Sequence, residues 1–277
     1  MYKAINQWSF PEGYTVKQCL ELAAKAGFRA FEPGYFETGE ISLETGEAKL
    51  REIREMASDM GIELTSLASG LYWKYSLTSD NAATRQKAKD IARAQLDAAA
   101  ALQVPTILVV PGQVGKGFWG EGEFIYYDTA YDRALEAMLE LRVHARDRGV
   151  IIGVENVWNN FLLSPLEMRD FIDKVDSPFV GMYLDVGNML RDSFPEMWIR
   201  ILNKRVARVH VKDFKIAVGN ISGFVDLLSG DVNFPAVVRE LTAVGYDGPL
   251  IAEMGADQYY EGDVIYRTAR ALDTILA

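Results

Sequence analysis

The chain reads as an α/β protein forming a single (β/α)8 barrel, on three observations. Eight short apolar, often β-branched runs alternate with eight helical patterns from one end to the other. Several of the helical patterns close on glycine just before the next strand begins. No Gly-x-Gly-x-x-Gly follows the first strand, which argues against an open dinucleotide-binding sheet. At 277 residues the length suits one such barrel, with no linker, charge block or low-complexity stretch to divide it, so residues 1–277 are expected to form one domain.

The strand patterns fall near 2–8, 28–32, 62–68, 105–110, 150–155, 179–185, 206–212 and 249–253. They are apolar on both faces, as strands covered on both sides by helices must be. Helical patterns fill the gaps near 15–26, 43–60, 82–102, 128–148, 164–175, 195–203, 232–244 and 262–276. The pairs Ala26-Gly27, Met60-Gly61, Arg148-Gly149 and Val244-Gly245 are helix stops, because glycine accepts the positive φ of a C-terminal cap. Ser164-Pro165-Leu166-Glu167 and Asp231-Val232-Asn233 are helix starts.

Four of the later strands end, or nearly end, in a polar side chain. Ile151-Ile152-Gly153-Val154 leads to Glu155, Val180-Gly181-Met182-Tyr183-Leu184 to Asp185, Val206-Ala207-Arg208-Val209 to His210, and Pro249-Leu250-Ile251-Ala252 to Glu253. Active sites of this fold gather at the C-terminal ends of the strands, so units five to eight should bring all four to one mouth. Singly, each carboxylate could cap a helix and His210 could be a bonded core histidine. Together, three acids at that spacing resist ionisation unless a cation neutralises them. Oxygen donors with one imidazole suit Mn²⁺, Mg²⁺ or Co²⁺ more than a thiolate-loving metal. The other histidine, His144, lies in a polar helical segment and reads as solvent-facing, so a multi-histidine zinc cluster is excluded.

The motifs Val154-Glu155-Asn156, Leu184-Asp185-Val186-Gly187-Asn188, Val209-His210-Val211-Lys212-Asp213 and Ala252-Glu253 resemble those of the xylose-isomerase-like sugar isomerase/epimerase barrels. The likeness runs over essentially the whole chain, and is strongest to the ketose 3-epimerases and related sugar-phosphate isomerase/epimerases. It implies that Glu155, Asp185, His210 and Glu253 bind the metal, and that Glu155 and Glu253 double as the acid/base pair. It also implies a homodimer or homotetramer. The chain departs from the ketohexose 3-epimerase pattern at three substrate-contacting positions. Asn188 stands where those enzymes carry histidine, Ile216 where they carry arginine, and Phe161 where they carry glutamate. These departures leave the sugar, and whether it is phosphorylated, open.

The chemistry such a site suits is proton transfer beside a ketone through a cis-enediolate, with acids from opposite faces inverting C3. An aldose–ketose isomerase, or a keto-polyol dehydratase of the inosose type, would use the same metal; a non-catalytic sugar-binding barrel is the reading from another class. Candidate substrate contacts are Trp8, Asn188 and Lys212. Asn188 is either a hydroxyl contact or a turn residue after Gly187. Lys212, two positions from His210 along the strand, either meets substrate or serves as counter-ion to the acidic mouth. Trp8 and Trp73 could wall a sugar's C–H face. The glycine-rich loop from Pro111 to Gly122, which carries Trp119, is a candidate lid.

A formal net charge of −10 speaks against nucleic acid or an anionic membrane surface as partner but does not point to a substrate; the small sugar expected as partner is what the resemblance implies. No apolar run approaches the roughly 20 residues of a membrane span, and the N-terminal residues lack a signal pattern. The single cysteine, Cys19, reads as a buried core thiol. A reducing cytoplasm is the expected location.

Overall fold

The computed structural model describes residues 1–117, 120, 122–257 and 259–277. Among these, eight parallel strands form one sheet: β1 (Tyr2–Asn6), β2 (Ala30–Glu32), β3 (Glu63–Leu64), β4 (Thr106–Val109), β5 (Ile151–Glu155), β6 (Val180–Asp185), β7 (Val206–Val211) and β10 (Pro249–Ala252). The spatial order β3-β2-β1-β10-β7-β6-β5-β4 leaves β3 and β4 at its two ends. A parallel bridge from Leu67, just past β3, to Ile107 joins those ends and closes the barrel. Leu67 N donates to Thr106 O and Leu67 O accepts from Leu108 N, both at 3.0 Å.

The helices lie outside this barrel and are set by the signals in the sequence. α1 (Val16–Lys25) starts on a reciprocal capping box between Thr15 and Gln18. It is followed by α2 (Glu47–Asp59), the short α3 (Leu71–Lys74) and α4 (Ala82–Leu102), the last capped by the Asn81 side chain. α5 (Tyr127–Arg148) stops at Gly149, whose φ of 67° needs no Cβ to be accommodated. α6 (Pro165–Val175) is capped by Ser164 with proline in its first turn, and α7 (Pro195–Leu202) also opens on proline. α8 (Phe234–Ala243) starts at the Asn233 cap, and α9 (Asp263–Leu276) ends the chain. Against the spans expected from sequence, each main helix starts or stops within about four residues, the scatter normal for element ends.

Two features differ from those expectations. The third strand is short; the rest of the 62–68 run contributes only the Leu67 bridge and a second parallel bridge, Gly34 to Ala68. After β7 the chain does not go straight into a helix but forms a small antiparallel pair, β8 (Asp213–Phe214) with β9 (Phe224–Val225), before α8. The described part of the Pro111–Gly122 loop is tied down rather than loose. Thr78 Oγ1 accepts from Gln113 N and donates to Gln113 O, both at 2.9 Å, and Asn159 Nδ2 donates to Gly112 O at 2.7 Å. Trp119 lies outside the described residues.

Cys19 is buried on α1, and burial pushes its thiol up to about 12, so it is a packing residue and not a nucleophile. His144 sits on the outer helical layer, 2.7 Å from Asp97 on the neighbouring helix. No described helix is long and apolar enough to cross a membrane.

Candidate metal centre

Glu155 and Asp185 end β5 and β6, His210 is the penultimate residue of β7, and Glu253 follows β10 directly. Each offers a ligand atom, and those atoms lie within 4.8 Å of one another. The convergence follows from strand order, since β5, β6, β7 and β10 are consecutive neighbours in the sheet. Asp185 and His210 are also register partners across the β6–β7 seam.

Hydrogen bonding aims each group. Asp185 Oδ1 accepts from the backbone N–H groups of Gly187 at 2.9 Å and Asn188 at 2.8 Å, which leaves Oδ2 pointing into the cluster. The Asn156 side chain clamps the Asp185 backbone from β5, donating to its carbonyl at 2.9 Å and accepting from its N–H at 2.8 Å. His210 presents Nδ1 to the acids, 3.0 Å from Glu253 Oε2, 3.4 Å from Glu155 Oε1 and 4.0 Å from Asp185 Oδ2. None of these approaches lines up as a hydrogen bond: Asp185 Oδ2 and His210 Nδ1 are buried without a hydrogen-bond partner. Two buried atoms left in this way, on groups whose lone pairs face one point, are what a cation would satisfy. The donor set of three carboxylates and one imidazole nitrogen therefore fits a divalent ion.

Lys212 lines the same mouth. Its Nζ is 2.8 Å from Glu253 Oε1 and 3.2 Å from Asp185 Oδ2, and it stands 5.6 Å from the centre of the Phe224 ring. Asn188 is a turn residue whose Nδ2 donates to Asn156 O at 3.1 Å, and it also lines the cavity. Gly187 is required between them: a Cβ there would come within 2.6 Å of Lys212 Cβ. Charge separates the acids. Burial, with Glu253 nearby, raises the Glu155 carboxyl to about 7 against the opposing pull of His210 and Lys212. Burial acts against Glu253 as well, yet Lys212 and His210 outweigh it and hold that carboxyl at about 2.

Glu155 and Glu253 of the cluster line a cavity of about 610 Å³ at the C-terminal end of the barrel, while Asp185 and His210 are fully buried and do not line it. Trp8 and Trp73 line it, joined by Trp158, Val157, Phe224 and Met254. Trp158 is new: its Nε1 donates to Asn188 O at 2.7 Å, and Arg191 stacks 4.6 Å above its ring. Phe161 and Ile216 are not among the lining residues. Phe161 is buried against Tyr127, Tyr131 and Phe171, and Ile216 is exposed at the turn after β8. A slightly larger hollow of about 730 Å³ sits outside the barrel between α2 and α4, far from this chemistry.

One further residue escaped the sequence reading. Glu32 ends β2, is fully buried, and meets His210 Nε2 at 2.6 Å on the side away from the cluster. Its signal was present, an acid closing the run Ala30-Phe31-Glu32, the pattern that singled out Glu155.

Comparison with known proteins gives a match between residues 20–275 and the family described as xylose isomerase-like TIM barrel. A curated relative, 2-epi-5-epi-valiolone 7-phosphate 2-epimerase of Actinoplanes sp., is 26% identical over 196 residues, which is 70% of this chain and 66% of that protein. The chain thus spans slightly less than two thirds of that relative. Among solved structures, a D-psicose 3-epimerase determined in the presence of D-fructose superposes with a TM-score of 0.80 at 21% identity, covering 99% of this chain and 98% of the other. An L-ribulose 3-epimerase also gives 0.80, at 17% identity, covering 99% and 95%. At these identities the structural likeness establishes the fold.

Proposed function

Since the chain belongs to the xylose isomerase-like TIM-barrel family, we propose that it is a divalent-metal-dependent sugar isomerase, most concretely a ketose 3-epimerase working through a cis-enediolate. The observation that carries this reading is the meeting of Glu155, Asp185, His210 and Glu253 within 4.8 Å, with Glu155 and Glu253 lining a sugar-sized cavity. Those four residues would hold Mn²⁺, or Mg²⁺ or Co²⁺ in its place, and the ion would supply polarisation of the ketone that makes the neighbouring C–H acidic.

The chain's own groups then handle the proton. Glu155 on β5 and Glu253 after β10 reach the cavity from separate strands, with β6 and β7 between them. Acids so separated can remove a proton from one face of C3 and return it to the other, which inverts the centre. Trp8, Trp73 and Trp158 offer apolar surface to the C–H face of a sugar, while Asn188 and Lys212 offer polar groups to its hydroxyls. The names of the relatives, a D-psicose 3-epimerase, an L-ribulose 3-epimerase and a 2-epimerase of a cyclitol phosphate, support this chemistry.

Charge favours an unphosphorylated sugar. Among the described lining residues Lys212 is the one cation, and it is already paired with Glu253 and Asp185. Glu155, Asp213, Asp226 and Glu253 line the same space, so among the described lining residues a phosphate dianion would meet acids and no unpaired cation.

The test is a screen of matched free and phosphorylated ketoses with the Mn²⁺-loaded protein in D₂O, followed by proton NMR. Deuterium should enter beside the carbonyl of a free ketose with inversion at C3. Glu155→Gln and Glu253→Gln should each lower the exchange rate by about 10²–10⁴-fold, the usual contribution of general acid–base catalysis. Full exchange in both variants would remove them from the mechanism, and a product lighter by one water would assign the site to a dehydratase.

A further inference from the structure

Behind the four candidate ligands lies a carboxylate that the proposed chemistry leaves unused. Glu32 is fully buried at the end of β2, and its two oxygens gather donors from four other parts of the barrel wall. Oε2 accepts from the Asn6 side-chain amide on β1 and meets His210 Nε2 on β7 at 2.6 Å. Oε1 accepts from the hydroxyls of Ser66, beyond β3, and Tyr183 on β6. A carboxylate offers about four lone-pair positions, so this one is filled and cannot turn to join the metal ligands.

We propose that Glu32 is a positioning residue that fixes His210 as an Nδ1 ligand by holding the ring's remaining proton on Nε2. A neutral imidazole carries one N–H, so the nitrogen that donates decides which nitrogen keeps a free lone pair. With Nε2–H committed to Glu32 at 2.6 Å, the Nδ1 lone pair is left facing Glu155, Asp185 and Glu253. The opposite tautomer would set the Nε2 lone pair against the Glu32 carboxylate and place N–H where a cation belongs. The ring plane is held too. Tyr183 packs edge-on against His210 with ring centres 4.6 Å apart. That packing depends on Gly153, where a Cβ would lie 2.8 Å from the Tyr183 ring. The chain therefore builds a relay of strand ends, in which β2 orients the β7 ligand and β5 makes room for the ring that braces it.

This inference rests on the metal site proposed above, and its test reads metal binding and proton position rather than turnover. Mn²⁺ is titrated by calorimetry into the full chain, its Glu32→Gln variant and its Tyr183→Phe variant. Loss of a carboxylate partner behind a metal-bound histidine costs roughly 10–100-fold in affinity, and that is the drop expected for Glu32→Gln. Tyr183→Phe removes a donor to Glu32 but leaves the His210 contact, so its affinity should stay close to that of the parent chain. An equal loss in both variants would mean that Glu32 merely holds the barrel together. Nitrogen-15 histidine NMR of the Mg²⁺-loaded parent chain supplies a readout that needs no variant to fold. With two histidines in the chain the His210 signals are readily assigned, and the proton is expected on Nε2. A proton on Nδ1, or unchanged Mn²⁺ affinity in Glu32→Gln, overturns the proposal. A parent chain that binds Mn²⁺ with the expected tautomer yet exchanges no ketose proton would sink the epimerase reading and leave this one standing.

Discussion

Lys212 bridges two of the acids of the candidate metal centre. Its ammonium lies 2.8 Å from Glu253 and 3.2 Å from Asp185, with side-chain exposures of 16%, 19% and 0% for the three residues. Replacing it by methionine leaves two largely buried acids with less positive charge near them. Removing one member of a fully buried pair costs about 3–5 kcal/mol, and the partial exposure here lowers the expectation to about 2–3 kcal/mol. Thermal unfolding in the presence of a chelator should therefore show a lower Tm for Lys212→Met. Mn²⁺ should raise the Tm of the variant by more than it raises that of the parent chain, because the ion replaces the missing charge. Equal shifts would show that Lys212 and the cation site are independent. At this scale the four candidate ligands were legible, because an acid or imidazole ending an apolar strand is a visible exception to pattern. Glu32 closes a strand in the same manner, but only the register of the closed barrel separates a group that faces the cation position from one that stands behind it. Trp158 carried no comparable mark, since it follows β5 in a loop whose course over the mouth depends on contacts with Asn188 and Phe214.

The insertion between β7 and α8 is the element that shapes the cavity wall beside Lys212. Ile221, Phe224 and Val225 from this segment line the cavity, and Asp213 anchors it. The Asp213 carboxylate accepts from the backbone N–H groups of Phe214 at 2.9 Å, Gly230 at 2.8 Å and Val232 at 3.1 Å. It ties the base of the hairpin to the approach to α8, and Gly230 has no Cβ because one would fall within 2.1 Å of that carboxylate. Asp213→Ala strands three backbone donors at one point and should destabilise the segment by about 1–3 kcal/mol. The expected kinetic signature is a raised KM for the ketose with Mn²⁺ affinity unchanged, because the wall moves while the four ligand-bearing strands stay. A fall in Mn²⁺ affinity equal to the rise in KM would place Asp213 in the metal centre instead. The main strands and helices were readable because each is long enough for its period and caps to register. β8 and β9, two residues each, and the four-residue α3 are too short to leave a pattern, and they form because side chains such as Asp213 supply their backbone partners.

At the scale of the whole molecule, the candidate cation site and the closure of the barrel lie on different arcs. The candidate ligands occupy the run β5, β6, β7 and β10, where neighbouring strands pair over three or four registered positions. The closing seam between β3 and β4 rests on the single Leu67–Ile107 bridge. Glu32 and Ser66 connect the two arcs through the barrel interior, joining the seam side to His210. A bound divalent ion would cross-link four strand ends, three of them acidic, and its affinity would add directly to folding stability. Ligand at 100 times its Kd contributes about 2.7 kcal/mol, so Tm should rise with Mn²⁺ concentration and fall back on chelation. Hydrogen exchange locates the effect. Added protection should concentrate at the C-terminal ends of β5, β6, β7 and β10, and extend to β2 through Glu32, with the Leu67–Ile107 seam gaining least. Replacing Glu32 by glutamine should then confine the gain to the ligand strands, because the path from His210 to β2 is weakened. Protection that rises evenly around the barrel in both proteins would mean the ion stabilises the fold as a whole, and that Glu32 carries no part of the coupling.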